Sequence, residues 1–187
     1  MIDRPKFKEL TYQQVSNSVP EEYDMIQLKM DGIWGCMVVK DGMMTIYSRT
    51  GKVKFEKPLE ENSPIEGILL GEYMHGSHWG HKMGINGEFY IFDCLNFNGD
   101  DLKDMPLQER LQMAEGFLMM LTQSCDSDFV KMLQNFPSNV WSDVWDNYVT
   151  DQAYEGLVFK DSSSKYDDKG AWARLKNVVE IEYICHD

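Results

Sequence analysis

The sequence predicts an α+β fold of two largely antiparallel sheets with flanking helices. Three observations carry that expectation. Asp41-Gly42 interrupts a stretch from Ile26 to Tyr47 in which apolar and polar residues alternate, the pattern of two strands joined by a tight turn. Short apolar runs bounded by turn residues recur along the chain, and only Pro106 to Leu121 has a well-marked helical period. Hairpins therefore outnumber strand–helix–strand crossovers, which favours antiparallel sheets over a doubly wound parallel one.

In chain order, one strand is expected through Gly35-Cys36-Met37-Val38-Val39, with its return through Met44-Thr45-Ile46-Tyr47. Gly67 to Tyr73 and Glu88 to Leu95 are short apolar runs ending in acidic residues and read as buried strands. Leu107, Leu111, Ala114, Leu118 and Leu121 recur at three or four residues, so Pro106 to Leu121 reads as an amphipathic helix, with the proline suited to its first turn. Val140 to Tyr154 reads as a second helix, capped by Ser138 or Asn139. Glu155 to Lys160 and Trp172 to Lys176 read as two strands joined by a polar loop from Ser162 to Gly170. No internal repeat, low-complexity tract or Gly/Ser linker marks a boundary, so residues 1–187 are expected to form a single domain.

The 187 residues suffice to bury a sizeable core, and 43% apolar with 12% aromatic content argues against disorder. No apolar run approaches the roughly 18 residues that span a bilayer, and the first residues lack the basic start and apolar stretch of a signal peptide. A soluble, intracellular (cytoplasmic), monomeric protein with no membrane partner is expected. Cys36, Cys94, Cys125 and Cys185 are scattered without a C-x-x-C pair, which favours reduced, mostly buried thiols over a disulfide framework or a zinc site. The net charge of −13 would repel a polyanion at long range. Screening beyond about 8–10 Å at physiological salt still allows a small basic cleft to act on an acidic body.

The chemistry-bearing residues begin with Lys29-Met30-Asp31-Gly32, where a strand meets a hairpin. That spacing can fix a lysine amine in a cleft with a carboxylate two residues on, but so short a motif also arises by chance in surface turns. In order after it come Ser48-Arg49-Thr50-Gly51-Lys52, Gly71-Glu72-Tyr73, Phe89-Tyr90-Ile91-Phe92-Asp93, Glu155-Gly156-Leu157-Val158-Phe159-Lys160 and Trp172-Ala173-Arg174-Leu175-Lys176. Taken together they resemble the ordered motifs of the covalent nucleotidyltransferases, the ATP-dependent ligases and mRNA capping enzymes. Asn98-Gly99-Asp100-Asp101-Leu102, Pro106 to Arg110 and the Ser164-x-Tyr166 segment resemble the intervals of DNA ligases. The resemblance runs from about residue 25 to 177 and identifies the chain as similar to the adenylation domain of an ATP-dependent DNA ligase.

The resemblance implies ATP and Mg²⁺ as cofactors, nicked DNA (or RNA) as substrate, and roles in DNA repair or replication. Lys29 is matched to the nucleophile that becomes attached to AMP, with Asp31 and Lys176 as catalytic neighbours. Glu155 is matched to a metal-binding glutamate, a hard oxygen ligand suited to Mg²⁺. Glu72 is matched to the carboxylate on the ribose hydroxyl, Arg49 to the arginine beside the sugar and the nicked end, and Phe92 to the aromatic that stacks on adenine. Two residues before the nucleophile, Gln27 is placed to read the adenine edge. Arg174 and Lys176, two apart on a strand, share a face and would reach the triphosphate. Lys160 is a third such cation.

An ordinary lysine, with a pKa near 10.4, is protonated at neutral pH, so this chemistry needs help. Desolvation, the cationic neighbours Arg174 and Lys176 and bound metal favour the neutral amine, whereas Asp31 and Glu155 oppose it unless metal neutralises them. Reactivity is therefore expected only with metal-bound ATP present.

Three features depart from the family pattern. Trp34 stands where arginine is common, so either Trp34 packs under the sugar or Arg49 carries the polar role alone. Arg174 stands where lysine is usual. Only Asn177 to Asp187 follow the last motif, so the OB-fold domain of complete ligases is expected to be absent from the chain or supplied elsewhere. His75-x-x-His78-x-x-His81 has a metal-like spacing if helical, but its glycines argue for a surface loop. Glu60, Glu61, Asp100 and Asp101 read as a solvated acidic face. The competing readings are an RNA ligase or GTP-using capping enzyme, and a nucleotide-binding module that has lost turnover.

Overall fold

The computed structural model describes residues 5–60, 64–152 and 154–177. Among the described residues, twelve strands form two sheets. The first is five-stranded, in the order β1 (Phe7–Leu10), β12 (Trp172–Lys176), β11 (Gly156–Lys160), β2 (Met25–Lys29) and β10 (Asn135–Pro137). Its one parallel contact is between β1 and β12. The second is seven-stranded, in the order β5 (Val53–Pro58), β4 (Met43–Ser48), β3 (Ile33–Lys40), β6 (Gly67–Tyr73), β7 (Phe89–Phe97) and β8 (Asp100–Asp101), with β9 (Val130–Met132) parallel to β7. The α+β class with two largely antiparallel sheets is as the sequence indicates.

The turn between β3 and β4 places Asp41 at φ 51° and Gly42 at φ 71°. A two-residue hairpin whose twist matches its strands needs both central residues in this left-handed region, which Asp-Gly tolerates. Three helices, α1 (Tyr12–Asn17), α2 (His78–Lys82) and α3 (Leu107–Ser124), are joined by a mixed helical segment at 138–150 that ends in a π-helical turn, Trp145–Thr150. Helix α3 buries Leu107, Arg110, Leu111, Ala114, Phe117 and Leu121. Phe117 joins the stripe, its ring 5.5 Å from Phe97 on β7, and Leu118 packs half-buried against the same core.

Two local expectations are corrected. Neither Ser138 nor Asn139 caps the second helical segment through its side chain. The chain enters the helix directly from β10, and the Ser138 amide instead donates to the Asp24 carbonyl at 2.9 Å. The histidine segment is not wholly loop. Helix α2 forms over His78–Lys82, where the Ser77 hydroxyl accepts from the Gly80 amide at 3.1 Å and so offsets the glycine. His75 stays outside that helix, its ring stacked on Tyr73 at 5.5 Å. Among the described residues no cluster of three or more His, Cys, Asp or Glu could hold a metal ion. Cys36, Cys94 and Cys125 are buried free thiols, while Cys185 and Glu61 lie outside the described residues. No described helix is long and apolar enough to cross a membrane.

The two faces of the five-stranded sheet differ. Ile26, Leu28, Leu157, Phe159, Ala173 and Leu175 are buried in one cluster with Val15, Val144, Trp145 and Val149. The alternate residues turn to the other face, and the register lines them up in rungs: Lys29, Gly156 and Lys176, then Gln27, Val158 and Arg174, then Met25, Lys160 and Trp172. Strand β1 extends the last two with Glu9 beside Arg174 and Phe7 beside Trp172.

Candidate active site

That second face is one wall of an open cleft with about 570 Å³ of space, part of it continuous with solvent, whose opposite wall includes Trp34, Glu72 and Phe92 from the seven-stranded sheet. Successive rungs lie two residues apart on each strand. At about 3.3 Å per residue, the Lys29 and Lys160 rungs are therefore separated by about 13 Å along the strands. The cleft has two chemically distinct ends.

At the first end, the backbone leaves β2 at Lys29 and turns through Asp31 and Gly32 into β3. Gly32 is required by close approach: a Cβ there would lie 2.9 Å from the Tyr73 carbonyl and 2.7 Å from Met74 Sδ. Its amide donates to Glu72 Oε1 at 3.2 Å, so the turn also fixes a carboxylate of the facing wall. Lys29 Nζ contacts Glu155 Oε2 directly, and Lys176 Nζ lies 3.2 Å from Glu155 Oε1. Burial works against the charge on Glu155, but the contacts with Lys29 and then Lys176 outweigh it and hold the carboxyl below its ordinary range.

Glu155 itself is placed by backbone pairing, its amide donating to the Lys29 carbonyl at 3.1 Å and its carbonyl accepting from the Asn177 amide at 2.9 Å. Next to it, Gly156 sits at φ +151°, and a Cβ there would lie 2.0 Å from the Leu175 carbonyl. Only glycine lets the two strands close on each other at this point.

The other end is aromatic. Phe92 and Trp172 meet edge to face at 5.8 Å. Lys160, fully buried, donates to the Phe92 carbonyl at 3.3 Å and lies 3.6 Å from the Trp172 ring centroid. Burial pushes its pKa down from 10.5 to about 7, against an upward pull from Asp93 and with a further lowering by Arg110. Lys160 shares the face of Arg174 and Lys176, as the two-residue alternation requires, but it belongs to the aromatic end of the cleft, far from Lys29.

This burial has a measurable consequence. Between about pH 7 and 10.5 the unfolded chain holds a proton at Lys160 that the folded chain has lost, so this group makes the fold more stable as pH rises through that window. Urea denaturation is expected to show Lys160→Met losing that gain. Relative to the variant, wild type should strengthen by about 1 kcal/mol per pH unit from pH 7.5 to 9. Parallel pH profiles for the two proteins would contradict the assignment.

Between the ends, Gln27 is buried and its Nε2 donates to Asn135 Oδ1 at 2.6 Å, while the Arg174 guanidinium is held by Glu9, with Nε at 2.6 Å from Oε1. Asp31 is exposed in the turn and is not part of the cleft wall. Arg49 is also exposed; it lines an adjoining concavity with Cys36, Tyr47 and Gly51. Trp34 borders both spaces and is cross-strand neighbour to Glu72, and its indole nitrogen is buried without a hydrogen-bond partner. An aromatic wall thus stands where the family pattern has an arginine. Sequence reasoning did not single out Glu9 or Asn135, and Trp172 entered only as motif context.

The profile of the ATP dependent DNA ligase domain matches residues 70–176, more than half of the chain. The chain belongs to that family. Within it, the DNA ligases of Vaccinia virus (strain Ankara) and Monkeypox virus are each 31% identical over 118 residues, 63% of this chain. The chain spans 20% of the length of these curated relatives. Among solved structures, mycobacterial DNA ligase D complexed with ATP and MES superposes with a TM-score of 0.59 at 17% identity, covering 83% of this chain and 55% of that one. Chlorella virus DNA ligase-adenylate gives a TM-score of 0.57 at 17% identity, covering 92% of this chain and 67% of that one. At these identities the superpositions establish the shared ligase-domain fold.

Proposed function

We propose that this ligase domain forms a covalent lysyl-AMP at Lys29 and passes the AMP to the 5′-phosphate of a nick in DNA. The observation that carries the reading is the polarity of the cleft. A lysine held between carboxylate and cation occupies one end, and an aromatic platform occupies the other, about 13 Å away along the strands.

In this reading the base lies against Phe92 at the end closed by Lys160 and Trp172, with the Gln27 amide on its edge and Glu72 on the ribose. Lys160 therefore serves the base end and does not reach the triphosphate. Arg174 and Lys176 face the phosphates. Lys29 Nζ attacks the α-phosphorus, the bond to the bridging oxygen breaks, pyrophosphate leaves, and the amine gives up its proton. A 5′-phosphate oxygen then attacks the same phosphorus, the P–N bond breaks, and the nitrogen takes a proton from solvent to leave as the lysine amine.

Glu155 suits a divalent ion such as Mg²⁺. It offers one hard oxygen ligand, and such an ion commonly takes one or two carboxylates and completes its shell with phosphate and water oxygens. Bound there, the ion would supply charge neutralisation at the phosphates. Glu155 turned toward it would no longer hold Lys29. Trp34 is assigned to packing beneath the sugar and Arg49 to the nicked end, where a guanidinium can fork onto a phosphate. Asp31, exposed in the turn two residues after the nucleophile, is assigned as its acidic neighbour, whose charge favours the protonated amine until metal-bound ATP offsets it.

Incubation of the domain with ATP and Mg²⁺, followed by intact mass measurement, is expected to show one added AMP. Preferential addition of GMP from GTP would overturn the adenine assignment, and nucleotide binding without any adduct would reduce the protein to a binding module. A nick-sealing assay on DNA and RNA duplexes then fixes the acceptor.

A further inference from the structure

The contact between Glu9 and Arg174 belongs to no part of the chemistry above. Glu9 lies on β1, paired in parallel register with Arg174 on β12, and 165 residues separate them in sequence. Its carboxylate takes Nε of the guanidinium at 2.6 Å and also contacts Nη2, so one oxygen is shared by two donors of the fork. The same guanidinium lies 5.6 Å from the Phe7 ring, the other β1 residue on this face. The charges of Lys176 and Lys29 also act on Glu9, after that of Arg174. Glu9 is therefore an anion placed among the three cations that face the phosphate end.

Arg174 lines the cleft, and Glu9 occupies its Nε–Nη2 edge, the fork best shaped to take a planar anion. A triphosphate that takes this edge must displace the Glu9 carboxylate; with Glu9 in place it is left the Nη1 donors and the second Nη2 hydrogen. With Glu9 60% exposed and Arg174 29% exposed at the side chain, the pair is weak enough for a polyphosphate to displace.

We propose that Glu9 is an internal competitor for the triphosphate, a latch from the N-terminal strand that occupies Arg174 until a polyphosphate displaces it. The inference rests on the nucleotidyltransferase reading for the identity of the ligand, but the latch itself concerns any polyphosphate anion. Its removal tightens nucleotide binding, in contrast to removal of a residue that positions Arg174.

The test is titration calorimetry of the wild-type domain, Glu9→Gln and Arg174→Ala with inorganic tripolyphosphate, and separately with ATP and Mg²⁺ while adduct formation is followed by intact mass. Glu9→Gln is expected to bind tripolyphosphate and ATP roughly two- to tenfold more tightly than wild type, with the gain shrinking as salt rises. The gain should vanish when Glu9→Gln is placed in an Arg174→Ala background, because the competition needs the guanidinium. Unchanged or weaker polyphosphate binding by Glu9→Gln overturns the latch, as does a gain that survives loss of Arg174. If tripolyphosphate follows the expected pattern while no protein forms an AMP adduct, the latch stands and the adenylation reading fails.

Discussion

Lys29→Arg is expected to lower the yield of covalent AMP by more than about three orders of magnitude while leaving a folded domain that still binds ATP. The variant separates charge from nucleophilicity. Lys29 contacts Glu155, and an arginine of similar length keeps a cation there. A guanidinium does not give up its proton at any accessible pH, so it offers no lone pair to phosphorus. The fold should not notice. The strand pairing that sets this corner, Lys29 opposite Gly156 and the Glu155 amide on the Lys29 carbonyl, is made by the backbone. Glu155 also keeps its second partner, Lys176 at 3.2 Å. A melting curve within about 1 kcal/mol of wild type is expected for a change confined to a partly exposed ion pair. An adduct persisting in Lys29→Arg, mapped to another residue, would move the nucleophile elsewhere; unfolding of the variant would make the ion pair structural.

How much of this could be read beforehand depends on range. The hairpin at Asp41-Gly42, the runs through Gly67 to Tyr73 and Glu155 to Lys160, and helix α3 carry local signals: a turn dipeptide, short apolar runs bounded by polar residues, a period of 3.6. All of them appear in the structure to within a few residues. The alternation rule also placed Arg174 and Lys176 on one face, and it extends to Lys160. It could not say how far along the strand each lies from Lys29, which takes the register of three strands.

Glu9 was illegible because β1 is four residues long and finds its partner near the other end of the sequence. Asn135 sits on a three-residue strand whose role is to close the edge beside Gln27. Helix α2 and the capping box of Thr11 and Gln14 were missed for another reason. Each is stabilised by a hydroxyl accepting a backbone amide, a contact that outweighs a poor helical pattern over five or six residues.

Arg110→Met is expected to cost about 3–5 kcal/mol of stability, the largest loss from any single substitution considered for this domain. Arg110 and Asp93 are both fully buried at the side chain, and the guanidinium meets the carboxylate in two parallel bonds, Nε to Oδ1 at 2.8 Å and Nη2 to Oδ2 at 2.9 Å. The remaining nitrogen serves the backbone, donating to the Met105 carbonyl at 2.7 Å and the Ser164 carbonyl at 3.1 Å. One side chain thus ties β7, the turn before α3 and the loop after β11. Methionine fills similar volume, so the loss is electrostatic. A buried carboxylate is left without its cation, and two carbonyls lose their donor.

Asp93→Asn keeps an acceptor for Nε and for the Cys94 amide that now reaches Oδ1 at 2.8 Å, but it sets an amide NH2 against Nη2 and leaves Arg110 a buried cation, so it too should cost several kcal/mol, about 2–4. Combining the two substitutions should cost less than their sum, the coupling reporting the stranded charge. Urea denaturation of the four proteins measures this cycle, and a loss below about 1 kcal/mol for Arg110→Met would mean that water or relaxation reaches Asp93. The consequence reaches the site because Asp93 follows Phe92 directly, and Lys160, which bonds the Phe92 carbonyl, feels both charges. Loss of Arg110 removes a charge that lowers the Lys160 pKa and leaves Asp93, which raises it, so the surviving folded fraction should hold its proton on Lys160 to higher pH than wild type.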